Sequence, residues 1–567
     1  MNKSKSICLL LGTFLTNIIF FSLVITTSLF FVNITVTQIN LILAVVFSIV
    51  ICYFISNKNL KQTLWIFILS ILIIIGTIMI CGHSFDPSYD GNTYHKAMTG
   101  FMKNGWNPLR KTFYDFADSD FPSCSILSQT WLDAYPKGAE IFAACIYAVT
   151  GNIESGKCFN LLSCIAIGLI SYGFLCETVP LKKWQSVICS IFLCLNPVAF
   201  SQFFTYYIDG FLWQFFLLCM FCLAYLTLYR EQNLTCYCCY MLFVSIVVGL
   251  NLKFSSLIYF GLPCMVFFLF WCFKIKNRNQ LLKRFILLAS GALMGICYAG
   301  STSYIINIIR HNNPVYTMIG EGSTDLVTVQ LPKVYQSMNN SARFIGSLFS
   351  KTSNSKAIEQ IEWKLPFSCH PNEFAAAQGC DVRTAGWGIL FSGILLISIA
   401  IVIVALVRYR KTNICHVIYL LFGIMLFSII FVPGLSWARY FGALFYIPVM
   451  AMVYLFIRFN KSNSGVNIIL AFALSLLLFI NMIPNIVFSR KIVINEYKAI
   501  VQELENFRNI TKENTVVVSY GNKGRFPGRI FTLMDMDIVD YSFEEVMEAE
   551  SSDTLFPYCG LQYKIIK

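Results

Sequence analysis

The chain of 567 residues is 57% hydrophobic and only 13% charged, and its mean hydropathy is +0.66. Soluble globular proteins carry about a quarter of their residues as charged side chains, so this composition excludes an ordinary soluble enzyme and predicts a protein solvated mostly by lipid. The net charge of +13 comes from short basic clusters between apolar runs. That pattern is typical of cytoplasmic loops, and no nucleic-acid partner is expected.

Thirteen apolar runs are candidates for membrane-spanning helices, each of which needs about 20 residues to cross the hydrocarbon core. The first run is too long for the core of a signal peptide and lacks a small-residue cleavage site, so it is predicted to be an anchor. Together the runs predict an all-α polytopic fold. The predicted spans are 7–32, 39–56, 63–83, 155–176, 184–204, 210–229, 236–252, 254–273, 285–305, 385–407, 414–433, 440–457 and 465–484.

Lysine and arginine residues predict the orientation of these spans, because cytoplasmic loops are enriched in both. With the N-terminus in the cytoplasm, every predicted inner loop is basic, whereas the outer turns 33–38 and 205–209 carry no basic residue. The chain is therefore expected to be a multi-pass protein of the inner or plasma membrane with an extracytoplasmic C-terminus. The basic residues of the predicted inner side are Lys3, Lys5, Lys58, Lys61, Lys182, Lys183, Arg230, Lys274, Lys276, Arg278, Lys283, Arg284, Arg408, Arg410, Lys411, Arg458 and Lys461.

Three larger pieces are then predicted outside the membrane: the loops 84–154 and 306–384, and a C-terminal tail. In the tail, residues 496–509 have helical spacing, whereas 514–521 and 561–567 have the pattern of strands, so a small α/β appendage is expected. The predicted division is into two extra N-terminal helices (1–62), a transmembrane core (63–485) and an extracytoplasmic α/β domain (486–567).

Most of the 22 cysteines lie inside apolar runs, where a thiol acts as a small hydrophobic group. They are therefore not expected to form a disulfide framework. Only Cys369 and Cys380 fall together in a long polar loop, and the sequence leaves open whether these two form a disulfide.

The first candidate site is the stretch "FDPSYDGNTYHK" (85–96), which begins just after the third predicted span. In a helix through this stretch, Tyr94 lies at i+4 from Asp90 and shares its face, whereas His95 points away from that face. Asp90 is either a general base, taking a proton from an attacking hydroxyl, or the N-cap of the helix. Asp86 competes with it for both roles.

The rest of the first outer loop offers weaker signals. The sequence "YPKGAEIFAACIYAVTG" (135–151) predicts a short amphipathic helix in the membrane interface, with Lys137 and Glu140 at its start. The acidic stretch "DSD" (118–120) either supplies two carboxylates to a divalent cation or forms an exposed turn.

Three charged residues stand next to apolar runs on the predicted outer side, where the bias of basic loops does not explain them. Asp209 is either a functional or paired acid or part of a solvated Asp-Gly turn. Lys253 and Arg439 join spans through very short loops, and a cation at membrane depth costs roughly 2.5–3.5 kcal/mol on insertion scales. A lipid phosphate would offset this cost. An ion pair with Asp209 or Asp90, or snorkelling to lipid head groups, is the alternative.

Seven motifs follow one another in the chain: "YDGNTYH" (89–95), "YPKGAE" (135–140), "NPVAFSQFFTYYIDG" (196–210), "NLKFSSL" (251–257), "HNNPVYTMIG" (311–320), "DVRTAGWGILF" (381–391) and "WARYFGALFYIP" (437–448). In this order the chain resembles the GT-C superfamily of integral-membrane glycosyltransferases, in particular the bacterial relatives of the protein mannosyltransferases that use polyprenyl-phosphate sugars. The resemblance covers roughly residues 60–460.

The resemblance implies a GT-C fold with interfacial helices in the first outer loop and inverting transfer of a sugar from a polyprenyl-linked donor to a glycan, lipid or protein acceptor. It makes Asp90 the leading candidate for the catalytic base, with Asp86 second. It also implies that Arg439 and Lys253 bind the phosphate of the donor. The acidic pair familiar in the family is replaced by two separated aspartates, so dependence on a divalent cation stays open. The further candidate substrate-binding residues are Asp209, Tyr94, His95, Lys137 and Glu140.

Two other functions are weighed against sugar transfer. A polysaccharide polymerase or O-antigen-ligase-like enzyme would also use a polyprenyl-linked donor, but its key residues are expected in one large late loop. A transporter of lipid-linked glycans is expected to show polar residues at mid-span and paired halves, and the sequence shows neither.

Overall fold

A computed structural model describes residues 7–117, 126–229, 234–320, 326–410, 412–513, 515–519, 528–536, 541–544, 554–556 and 561–566. The first three helices are long and apolar, and the short helices that follow belong to the segment 84–154, which the sequence predicts to be the first outer loop. They are α1 (Ile7–Phe31), α2 (Gln38–Ile55), α3 (Leu60–Gly82), α4 (Lys96–Lys103), α5 (Phe113–Ala117), α6 (Ile126–Ala134) and α7 (Gly138–Thr150). A π-helical turn, Gly91–His95, leads into α4.

The middle of the chain alternates long apolar helices with short turns. Its helices are α8 (Phe159–Thr178), α9 (Lys183–Cys194), α10 (Pro197–Gln202), α11 (Asp209–Leu228), α12 (Thr235–Leu250), α13 (Ser256–Lys274), α14 (Arg278–Leu293), α15 (Tyr304–His311), α16 (Leu326–Gln330), α17 (Lys333–Gln336), α18 (Asn340–Leu348) and α19 (Pro371–Ala376). The α1 helix packs against α2 and α8 and is buried on nearly every side.

Four long helices complete the bundle: α20 (Phe391–Arg408), α21 (Asn413–Phe431), α22 (Tyr446–Ser462) and α23 (Gly465–Arg490). The last of them does not end near residue 484, as the sequence predicts. It passes through a π-helical turn, Lys491–Glu496, into α24 (Tyr497–Glu513), so the helix of the tail continues the last span.

The tail carries a small sheet. Its elements are β1 (Thr515–Ser519), α25 (Arg529–Asp535), β2 (Tyr541–Glu544), β3 (Thr554–Phe556) and β4 (Leu561–Ile566). The strand order is β2-β1-β4-β3, with β1 parallel to β2 and antiparallel to β4. The two strands predicted for the tail correspond to β1 and β4.

Eleven helical segments of the described residues are long and apolar enough to cross a membrane, which makes the chain a multi-pass membrane protein. The two remaining predicted spans, 184–204 and 236–252, contain the shorter apolar helices α9 and α12, of 12 and 16 residues. The first of these is interrupted at Asn196, which caps a new helix with Pro197 at its first position. The expected number of thirteen spans is therefore not confirmed.

Candidate functional site

Three acidic side chains from distant parts of the chain contact one guanidinium group. Arg439 Nη1 lies 3.0 Å from Asp90 Oδ2 and 3.6 Å from Asp209 Oδ2. Arg439 Nε lies 3.1 Å from Asp381 Oδ1. The remaining nitrogen, Nη2, donates a hydrogen bond of 2.9 Å to the hydroxyl of Tyr440.

A second cation completes this cluster. Lys253 Nζ lies 2.8 Å from Asp209 Oδ1 and stands 4.0 Å above the centre of the Tyr440 ring. Asp209 thus bridges Lys253 and Arg439. We call Asp90, Asp209, Lys253, Asp381 and Arg439 the charge cluster.

The ends of several helices bring the charge cluster together at one end of the bundle. Asp90 precedes the π-helical turn beyond α3, and Asp209 is the first residue of α11, where the helix dipole favours a negative charge. Lys253 lies between α12 and α13. Arg439 lies in a 3₁₀ turn, Ala438–Tyr440, whose backbone is held by hydrogen bonds: Trp213 Nε1 donates to the carbonyl of Arg439 at 2.8 Å.

The charge cluster is buried on one side and open on the other. The side chains of Asp209 and Arg439 are 4% and 8% exposed, whereas those of Asp90 and Asp381 are 23% and 19% exposed. Burial raises the pKa of Asp381, although the charge on Arg439 opposes this shift. Burial by itself lowers the pKa of Arg439. The acidic neighbours, of which Asp381 has the largest effect, nevertheless hold this pKa well above the usual range. The open side is thus lined by acids that face a permanently charged guanidinium.

Aromatic rings border the charge cluster next to Asp90. Tyr94 stacks on Trp131 with ring centres 5.9 Å apart, and both rings contact Tyr135. Tyr94 and Trp131 are half-buried, whereas Tyr135 lies behind them. Burial raises the pKa of Tyr94, and the nearby charge of Asp90 adds to the shift. We call these three residues the aromatic wall.

An apolar cavity of about 540 Å³ lies between α11, α13, α20, α21 and α22. Its near end is lined by Trp213 and Tyr259, whose polar atoms bond the carbonyls of Arg439 and Tyr440, respectively. Its far end reaches Lys461. The cavity therefore runs along the membrane-spanning helices from a near end that borders the backbone of Arg439 and Tyr440.

Asp86 lies in a different, fully buried cluster. Its carboxylate accepts hydrogen bonds from the backbone N–H groups of Ser88 at 2.8 Å and Tyr206 at 3.1 Å. Its own N–H donates to Glu154, which also pairs with Lys96 and Lys157. Burial raises the pKa of Asp86, and the charge on Lys96 opposes this. Asp86 is thus held as a local cap, and Asp90 is the acid that faces the open side of the charge cluster.

Three other candidate residues also lie away from the open side. His95 Nδ1 forms a buried hydrogen bond with Glu140 Oε1, consistent with its orientation away from Asp90. Lys137 is fully buried and donates hydrogen bonds of 2.8 Å to the carbonyls of Asp133 and Tyr135. Burial lowers the pKa of Lys137 to about 7, although the nearby charge of Asp133 acts in the opposite direction.

The helix predicted to be amphipathic is buried among other helices of the protein. α7 contacts α1, α2 and α4, and its residues from Gly138 to Tyr147 are all buried. The prediction of an amphipathic helix was wrong because the sequence of α7 is apolar on almost every face, so its few polar residues do not define an exposed side. Its place in the membrane interface stays a prediction.

The remaining predictions concern cysteines and metal ions. Cys369 and Cys380 are both free thiols, so the disulfide that the sequence left open is not formed. Within the described part of the chain, no group of three or more histidine, cysteine or acidic side chains has the arrangement of a metal site. The stretch 118–120 lies outside the described residues.

Asp381 is the member of the charge cluster that sequence analysis missed. It lies in the motif 381–391, but an acid in a polar loop carries no signal of its own.

Comparison of the chain with protein-family models, curated proteins and solved structures finds no match.

Proposed function

We propose that this chain is a GT-C type membrane glycosyltransferase, which transfers a sugar from a polyprenyl-phosphate-linked donor to an acceptor hydroxyl on the extracytoplasmic side, in cell-surface glycan assembly. The observation that supports the proposal best is the convergence of Asp90, Lys253 and Arg439 in one cluster, beside an apolar cavity whose near end borders the backbone of Arg439. A lipid-linked donor has the matching parts: an anionic head, a sugar and a hydrocarbon chain.

The cations receive the donor phosphate in this proposal. Arg439 presents a planar set of donors suited to phosphate oxygens, and Lys253 adds a second charge at hydrogen-bond distance from the shared Asp209. The apolar cavity takes part of the hydrocarbon chain, because its near end borders the backbone of Arg439. The membrane lipid around the bundle accommodates the remainder.

Asp90 is the general base in this proposal. The acceptor oxygen attacks the anomeric carbon from the face opposite the phosphate, and the carboxylate of Asp90 takes the hydroxyl proton. The bond from the anomeric carbon to the phosphate oxygen breaks, and its electron pair leaves with the phosphate, whose charge Arg439 and Lys253 stabilise. Attack from the opposite face inverts the anomeric centre.

The charge cluster also suggests an order of events. Arg439 Nη1 is paired with Asp90, so the carboxylate of the proposed base contacts the same cation that the phosphate needs. A phosphate that binds Nη1 competes with Asp90 for this contact and releases the carboxylate toward the acceptor. The half-buried rings of Tyr94 and Trp131 offer apolar faces to the C–H side of a sugar ring.

Replacing the base tests the proposal. In membranes that contain the full chain and a polyprenyl-phosphate-linked sugar, Asp90→Asn is expected to lower sugar transfer about 100-fold to 10,000-fold, the range for loss of a general base. Asp115→Asn, an exposed acid in the same outer loop, is the matched control and is expected to keep full activity. Transfer by Asp90→Asn at the rate of the control would contradict the assignment.

A further inference from the structure

The segment Gly528–Asp535 of the tail docks on the first outer loop. One of the residues that it contacts lies two positions after Asp90. It contacts the π-helical turn Gly91–His95, α4 and the 3₁₀ turn Ile153–Cys158. The π-helical turn directly follows Asp90, the base of the proposed reaction, and α4 follows the turn. The docking has three points, and each joins the tail to a different one of these elements.

The first point is a close backbone contact. The N–H of Gly528 donates a 2.9 Å hydrogen bond to the carbonyl of Asn92, two residues after Asp90. A Cβ atom at position 528 would lie 2.8 Å from that carbonyl oxygen and 2.8 Å from Lys96 Cβ. Glycine is thus the residue that lets the tail approach the turn so closely.

The second point is an aromatic contact with α4. Phe531 is fully buried, and its ring meets Phe101 edge-on with ring centres 5.0 Å apart. The same ring covers Gly100, where a Cβ would lie 2.4 Å from it. Leu533 is fully buried as well. This side of α4 is therefore packed by residues of the tail.

The third point is a set of polar contacts at the other end of the segment. The hydroxyl of Thr532 donates to Glu154 at 3.2 Å, which joins the tail to the buried charges around Asp86. The carboxyl group of Asp535 accepts hydrogen bonds from the Ile153 N–H at 2.7 Å and the Tyr147 hydroxyl at 2.5 Å.

We propose that Gly528–Asp535 is a positioning segment, which holds the Asp90 turn in its reactive geometry through Asn92 and α4. The inference rests on the proposed function, in which Asp90 is the base. A π-helical turn is less regular than an α-helix and commonly marks a functional site. A hydrogen bond from outside the turn, together with packing on α4, restricts where Asp90 points.

Hydrogen exchange and transfer kinetics of the full chain in membranes test this role together. Gly528→Ala is expected to increase exchange of the amides in peptides covering 91–103 about tenfold, the effect of losing one hydrogen bond. It is expected to lower kcat about 100-fold, the effect of an ångström-scale misplacement, with the KM for donor unchanged. Glu513→Gln, an exposed position at the end of α24, is the control and should change neither quantity.

Phe531→Leu is a second variant that adds no bulk; it removes the ring contact with Phe101 and should shift exchange and kcat in the same direction by smaller factors. Unchanged exchange in both variants would overturn the docking role, and increased exchange with unchanged kcat would overturn the positioning role. If the unmodified chain transferred no sugar, the proposed function would fail. In that case exchange in 91–103 would still test the docking contact, while the positioning of a base would fall with the function.

Discussion

At the scale of single residues, Arg439 is the centre on which the charge cluster depends. Its three acidic partners come from positions far apart in the chain, and its own side chain is nearly buried. Without the guanidinium, Asp90, Asp209 and Asp381 would face one another with Lys253 as the remaining cation of the cluster. Arg439 is thus expected to matter for stability as well as for phosphate binding.

Two substitutions at Arg439 separate these contributions. Arg439→Ala is expected to destabilise the protein by about 1–3 kcal/mol, because Asp90 and Asp381 lose their cation while Asp209 keeps its contact with Lys253. Arg439→Lys keeps the charge and should retain more of the thermal stability, but it loses the planar donor set and should raise the KM for donor at least about tenfold. Thermal unfolding in detergent and transfer kinetics are the measurements. A lysine variant with unchanged KM would contradict phosphate binding by the guanidinium.

The sequence predicts four members of the charge cluster but not the fifth. Asp209, Lys253 and Arg439 stand out because a charge beside an apolar run has an energetic cost, and Asp90 stands out by following a span. Asp381 carries no such cost in a polar loop, so only its contact with Arg439 identifies it. The ion pairs of Arg439 with Asp90 and Asp209 were the stated alternative to phosphate binding, and both are present.

At the scale of elements, one carboxyl group is expected to make the docking of α25 depend on pH. Burial raises the pKa of Asp535 to about 6, while hydrogen bonds from Tyr147 and Ile153 and the charge on Lys96 act in the opposite direction. The charge of Glu154 adds to the increase. Between the ordinary pKa of an aspartate and pH 6, the docked segment therefore binds more protons than the undocked one.

This difference predicts how docking changes with pH. As pH rises from about 4 to 6, docking of α25 is expected to weaken, and above pH 6 it should level off. Asp535→Asn should remove this dependence because the amide carries no titrating proton. Hydrogen exchange of peptides covering 91–103, corrected for the intrinsic effect of pH, measures it. A pH dependence equal in Asp535→Asn and the unmodified chain would exclude Asp535 as the cause.

The helices could be predicted from the sequence where the apolar runs were long. They were less predictable where tertiary contacts determine the bounds or the packing of an element. Ten of the eleven spans have lengths near those predicted, whereas the last one continues to Ile510, and α9 ends at Cys194, just before Asn196 caps the next helix. The docking of α25 had no sequence signal. A seven-residue helix with one buried phenylalanine becomes recognisable only when Phe101 is seen beside Phe531.

At the scale of the whole molecule, the apolar cavity gives a test of the lipid carrier. Ala405 lines the cavity, whereas Ile403 on the same helix, α20, is exposed on its outer side. Ala405→Phe is expected to raise the KM for a long-chain donor more than for a short-chain donor, because the ring occupies space proposed for the chain. Ile403→Phe is the matched control. Equal effects of Ala405→Phe on both donors would show that the cavity does not hold the chain.

The contact between Gly528 and Asn92 has a consequence for how the protein is made. During synthesis the turn that bears Asp90 leaves the ribosome long before Gly528 does. Until the tail has been synthesised, α4 is therefore not covered by it. Release of a nascent chain before this glycine would leave a bundle of inserted helices whose Phe101 still contacts Phe113 but lacks the ring of Phe531. Maturation of the protein is therefore expected to end with the tail closing over the loop, after membrane insertion is complete.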